Sequence, residues 1–200
     1  EEKEVLGRLD TPARIQDFLD STIYSSEDIN RSPIEVFRDR IAHCLDGALF
    51  AAAMLRRMGR PPLIIDLLPE PGTDDHHVLT IYQENNLFGA IAKSNFTGLR
   101  FREPIFKSPR ELVLSYFENF FNVDGRKTLR GYTRIINLIT FDRFQWLHNS
   151  SGVDYIEKRL RGYKPRPLFS ADVIKFFNKV DPISYKAGML VVNRAGLYKP

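Results

Sequence analysis

The alternation of apolar and polar positions divides the chain into helices, then strands, then helices again. Asp10, Thr11 and Pro12 precede Ile15, Phe18 and Leu19, the pattern of a capped amphipathic helix over 10–20. Ser32-Pro33-Ile34-Glu35 is a stronger start. Ser32 can cap, Pro33 suits the first helical position, and Glu35 can reach back to close a capping box. From there Ile34, Phe37, Ile41, Leu45, Ala48, Ala52 and Leu55 keep helical spacing until Gly59, Pro61 and Pro62. Taken alone, that spacing predicts one long helix. Leu63 to Leu67 has the form of a short buried strand, and Leu68 to Asp75, with two prolines, Gly72 and two aspartates, that of a loop. Val78–Tyr82 and Leu87–Ala92 read as a hairpin turning at Asn85-Asn86. Ser108-Pro109-Arg110-Glu111 repeats the capping-box pattern and opens a helix, closed by Gly125, whose Tyr116, Phe117, Phe120 and Phe121 read as core. Phe141–Leu147, with Trp146, and Val153–Leu160 are further helical stretches; Gly162–Pro167 reads as a hinge before a helix capped by Ser170. This order suits an α+β fold rather than alternating βαβ units.

A hydrophobic fraction of 43% with 27% charged residues is that of a globular chain rather than a disordered one. No apolar run approaches the ~18 residues needed to span a bilayer, since Ala48–Leu55 meets Arg56 and Arg57 at once. The N-terminus lacks the basic and apolar regions of a secretory signal. A single cysteine cannot form an intrachain disulfide, which favours a reducing compartment, so a cytoplasmic location is expected. Charge changes the picture more. Residues 1–125 hold 14 Lys/Arg against 20 Asp/Glu, and residues 126–200 hold 15 against 5. We therefore expect a core over 1–125 and a basic, mostly helical extension over 126–200 packed on it. No nucleic-acid motif accompanies the basic half, so we read it as a docking face rather than a nucleic-acid site.

Candidate chemistry centres on His43-Cys44-Leu45-Asp46-Gly47-Ala48, a cysteine at the head of a small, alanine-rich helical stretch. The thiolate is the reactive form, and a helix N-terminus or an imidazolium stabilises it. His77 suits the role of base because imidazole titrates near neutrality. Its rival is His76. Strand alternation groups His77 with Leu79 and Ile81, and His76 with Val78, Thr80 and Tyr82; the first row is the more apolar, so His77 is expected to face the core and the thiol. Asp74-Asp75-His76-His77 together with His43-Cys44 matches no standard zinc spacing, and neither metal nor cofactor is expected. Arg100, Arg102 and Glu103 suit a structural ion pair better than a substrate carboxylate clamp.

A cysteine helix, a turn, a strand, an acidic loop and a strand opening at His77 together resemble the transglutaminase-like superfamily, a rearranged relative of papain-type cysteine proteases. The residues carrying the resemblance are Cys44 to Phe50, Leu55 to Pro62, and His77 to Ile81, within roughly 10–122. The resemblance implies a Cys–His site for acyl transfer on an amide or peptide bond, with N-terminal helices and a small antiparallel sheet. It also requires a break near Ile41–His43. The family's third member is an Asp on the strand after the histidine, yet no Asp or Glu occurs from Leu87 to Phe101. Lys93, Ser94 and Asn95 are the polar candidates there. An even-sum register puts Asn95 opposite His77, whereas a two-residue turn puts Ser94 there; Asn95 is preferred because papain-type sites orient the imidazole with Asn. The expectation is thus a Cys44–His77–Asn95 hydrolase acting on a peptide or amide substrate. A non-catalytic binding module on the same scaffold, its basic extension contacting an acidic partner, is the alternative.

Overall fold

The computed structural model describes residues 2–198. Helices α1 (Glu2–Arg8) and α2 (Pro12–Asp20) come first. The Thr11 side chain caps α2 by accepting from the Arg14 N–H at 3.2 Å. Strand β1 (Ile23–Tyr24) follows, then α3 (Pro33–Asp39), β2 (Ile41–Ala42) and α4 (Cys44–Arg57). Next come β3 (Leu63–Pro69), β4 (His77–Glu84), β5 (Leu87–Ile91), β6 (Arg102–Phe106) and α5 (Pro109–Leu114). The last part holds β7 (Leu129–Tyr132), β8 (Ile136–Asn137), α6 (Ser150–Leu160), β9 (Arg166–Pro167), α7 (Ala171–Ile174) and α8 (Pro182–Gly188).

The long helix expected from Ile34 to Leu55 is two helices. Arg40 adopts the left-handed conformation, φ 55°, and ends α3. For a non-glycine residue this costs roughly 1–2 kcal/mol. Two sets of contacts offset it. The Arg40 guanidinium lies 3.9 Å over the Phe18 ring and donates to Ser21 Oγ at 2.6 Å. The two residues after the break pair in parallel with β1, Ile41 with Ile23 and Ala42 with Tyr24. The capping box expected at Ser32 forms, with Glu35 accepting from the Ser32 N–H at 2.7 Å.

The main sheet is antiparallel and runs β6-β5-β4-β3-β7-β9, with β8 pairing β3. Helix α4 covers one face, where Leu45, Ala48, Leu49 and Ala52 pack against Ile64, Val78 and Trp146. The other face carries Ile65, Leu67, Leu79 and Ile81 under Leu112, Tyr116 and Phe120. Being covered on both sides, β3 and β4 are apolar nearly throughout rather than alternating. Gly47, one turn into α4, lets the helix approach the chain after β5: a Cβ there would lie 2.3 Å from the Lys93 Cβ. Gly47→Ala is accordingly expected to destabilise the fold by ~1–3 kcal/mol, the usual cost of overpacking, read as a lower urea midpoint at unchanged slope.

The boundary expected at 125/126 is not a division of this fold. β7 lies beyond it yet pairs β3 directly, Leu67 with Tyr132 and Leu68 with Gly131. The segment expected as a hinge supplies β9 at the sheet edge, Tyr132 pairing Arg166. The basic half meets the acidic half locally. Arg126 and Arg130 both reach Glu70, and Lys127 reaches Glu118. Among the described residues no helix is long and apolar enough to cross a membrane.

Candidate active site

Cys44 is the first residue of α4, and His43 caps the helix. The cap depends on Asp46, which is fully buried. It accepts from the N–H of Arg31 at 2.8 Å and of His43 at 3.2 Å, and lies 3.1 Å from His43 Nδ1. These bonds fix the start of the helix, and with it the thiol, against the end of the sheet. Cys44 Sγ donates to the carbonyl of His76 at 3.6 Å and accepts from the backbone N–H of Val78.

The β3–β4 register decides which histidine shares that face. Asp66 pairs with Val78, and Ile64 with Thr80, whose hydroxyl donates to the Ala48 carbonyl of α4. The α4 face of the sheet is therefore Ile64 and Asp66 on β3 with Val78 and Thr80 on β4. By the two-residue period His76 extends the same row. Its Nδ1 lies 2.8 Å from Asp66 Oδ2, while its ring is 46% exposed over a carboxylate that is 2% exposed. The Cys44 sulfur thus meets the backbone of residue 76 on the face that carries the His76–Asp66 pair.

His77 faces the other way. It pairs with Leu67, is buried, donates from Nε2 to the Leu99 carbonyl at 2.7 Å and sets its ring edge against Phe120. The expectation that it partners Cys44 is corrected. It assumed that the more apolar row must carry the site, whereas both rows of β4 are buried and the helix lies over the row of Val78 and Thr80. The expected register is corrected too. Asn85 and Asn86, φ 50° and 64°, make a two-residue turn with Glu84 opposite Leu87, so the register sum is odd. Nor does Asn95 orient an imidazole. Its side chain accepts from the Asn193 N–H at 2.8 Å and donates to the Asn193 and Gly196 carbonyls at 3.0 and 3.3 Å. Ser94 Oγ accepts from the Phe96 N–H, and Lys93 Nζ donates to the carbonyls of Leu19 and Thr22 around the C-terminal end of α2. Arg100 pairs with Asp20 at 3.2 Å, an ion pair of the expected kind, whereas Arg102 bonds Ser115 and the Gly98 carbonyl and lies 4.0 Å over the Tyr116 ring rather than pairing with an acid.

The electrostatics separate the two histidines further. The Asp66 hydrogen bond, outweighing burial, raises the His76 pKa above its ordinary value. Burial lowers that of His77 to about 4, with Arg102 adding to the effect, so His77 is neutral at pH 7. Burial also raises the Asp66 pKa against the pull of His76. Among the described residues its Oδ1 is buried with no hydrogen-bond partner, which makes Asp66 a candidate functional group. The Cys44 thiol is pushed up by burial and then by Asp75, so at rest it is protonated. The missed residue is Asp66. Its signal is a lone acid at the centre of Leu63-Ile64-Ile65-Asp66-Leu67-Leu68, since carboxylates are almost never fully buried unless paired. No protein-family model and no curated protein matches this chain.

Proposed function

We propose that the chain is a cysteine-dependent acyl-transfer enzyme of transglutaminase-like type, hydrolysing an amide or peptide bond through Cys44, His76 and Asp66. The observation that carries the reading is the His76–Asp66 pair at 2.8 Å beside a cysteine at a helix N-terminus. Asp66 holds the proton on Nδ1 of His76 and leaves Nε2 as the base. A turn of the Cys44 side chain away from the backbone of residues 76 and 78 delivers its proton to Nε2. The sulfur attacks the carbonyl, the α4 N-terminal N–H groups receive the oxyanion, and the imidazolium protonates the leaving amine. Water then attacks the thioester with His76 as base and releases the acid. The third residue here comes from the strand before the histidine, whereas the superfamily takes it from the strand after. The resting protonation of Cys44, bonded to backbone, favours the second reading of a binding module on the same scaffold.

Peptide mapping after incubation with an activated ester such as p-nitrophenyl acetate separates the two. An acyl adduct on Cys44, absent in His76→Ala, is expected. A binding module gives no adduct, or one indifferent to His76.

A further inference from the structure

Helix α8 packs tightly on Phe121. A Cβ on Gly188 would lie 2.5 Å from the Phe121 Cζ, the Tyr185 and Phe121 rings are 5.5 Å apart, and the Tyr185 hydroxyl donates to the Val123 carbonyl at 2.8 Å. The chain then comes back as a 3-10 turn, Arg194–Gly196. Asn193 anchors that turn: its N–H donates to the Asn95 side chain at 2.8 Å, and its own side chain donates to the Tyr24 carbonyl at 3.0 Å. Between the helix and the returning chain lies an open hollow of about 410 Å³, walled by Val123, Tyr185, Lys186, Met189, Arg194 and Leu197. Its walls are fixed by these contacts, and its volume falls within the ~300–1,000 Å³ of ligand pockets.

The walls divide by chemistry. Val123, Met189, Leu197 and the Tyr185 ring are apolar, and the Tyr185 hydroxyl is already bonded to Val123. The polar side chains that remain are two cations, Lys186 and Arg194, which donate and cannot accept. No carboxylate is among the walls. Asp181, the acid beside α8, is engaged in capping it, accepting from the N–H groups of Ile183 and Ser184 at 3.0 Å. Two cations brought together without an acid suit an anion, and the apolar walls suit an apolar body attached to it. At the ~30 Å³ that one water takes up, about 410 Å³ has room for roughly a dozen non-hydrogen atoms.

We propose that this hollow is a binding site for a small amphiphilic anion, one carboxylate or phosphate head on an apolar chain of about eight carbons, with Lys186 and Arg194 holding the head. Val123 and Leu197 also line the cavity that His76 and His77 share, but neither histidine reaches the hollow, so the inference is independent of the Cys44–His76 reading. The test is isothermal titration calorimetry at low salt with octanoate, octyl phosphate and octanol. Both anions are expected to bind with a Kd of ~mM or tighter, the level that about ten non-hydrogen atoms reach at ordinary ligand efficiency. Octanol, which lacks the charge, should bind at least ~10-fold more weakly. Lys186→Gln and Arg194→Gln should each weaken octanoate ~3-fold and together ~10-fold, a modest loss because both side chains are exposed and screened by solvent. Lys179→Gln, at an exposed lysine outside the walls, should change nothing. No saturable binding of either anion, octanol binding as tightly as octanoate, or equal losses in Lys179→Gln and Lys186→Gln overturns the inference. Sedimentation with vesicles of phosphatidylcholine and phosphatidylglycerol distinguishes a free anion from a bilayer lipid. Capture by those vesicles without octanoate binding in solution would assign the two cations to a membrane surface and overturn the hollow as a site.

Discussion

His76→Ala is expected to slow acylation of Cys44 by ~10²- to 10⁴-fold, the usual worth of a positioned acid–base group. His77→Gln should leave the rate per folded molecule within a few-fold. The contrast follows from the faces of β4. The His76 ring lies half-exposed on the face of α4 and Asp66, whereas His77 is sealed on the opposite face against Leu99 and Phe120. Asp66→Asn should approach the same loss, because an amide can donate to Nδ1 and stabilise the tautomer with its proton on Nε2, where the base is needed. The pH profile gives a second readout. Acylation requires neutral His76, so its rate climbs as the imidazolium loses its proton. The Asp66 bond raises that ionisation above the ordinary value, so in Asp66→Asn the residual rate should climb at lower pH. Release of p-nitrophenol measured from about pH 5 to 9 checks both. Equal rates for His76→Ala and His77→Gln would remove the basis for assigning the base.

Much of the frame was legible because its causes are local. The caps at Thr11, Ser32 and Ser108 follow from one side chain and the three residues after it, and the Asn85-Asn86 turn from two residues that tolerate positive φ. The break at Arg40 was not legible in the apolar spacing, and only the resemblance called for one, near Ile41–His43. Its left-handed backbone is stabilised by the Phe18 ring and by strand pairing with Ile23, both contacts distant in sequence. The site divides along the same line. Cys44 could be singled out by type and context, but choosing between His76 and His77 required knowing which face α4 covers, and alternation is silent on that when both faces are buried. Asn95 is ambiguous in the sequence for a related reason. A buried Asn near the end of a hairpin fits an orienter of histidine equally well until the hairpin register and the return of segment 193–198 are known. Asp66 is announced by its neighbours. An acid inside a six-residue run of otherwise apolar positions must be paired, and the sequence offers His76 ten residues on.

Acid should weaken the fold through His77. Its pKa in the folded protein is lowered to about 4 by burial, whereas an unfolded histidine titrates near the usual 6.5. Between those values the unfolded chain binds a proton that the folded one refuses, so stability is lost as pH falls from about 6.5 to about 4 and is fully present above. A gap of that size amounts to ~3 kcal/mol at one pKa unit per 1.36 kcal/mol. The other histidine of the pair acts in a different window. His76, raised by Asp66, adds stability that is complete below the unfolded value and disappears as pH rises through its folded one, so it does not change across the acid range. Asp46, Asp66 and Asp74, all raised by burial, retain protons in the folded state and oppose the His77 effect on the acid side. The readout is therefore a difference between proteins. Urea unfolding at about pH 7 and 4.5 should reveal that His77→Gln, whose amide can still donate to the Leu99 carbonyl, loses ~2–3 kcal/mol less than the unaltered chain over that interval. Parallel losses in the two proteins would mean that His77 accepts its proton in the folded state and is not the sealed, neutral ring that its contacts with Leu99 and Phe120 describe.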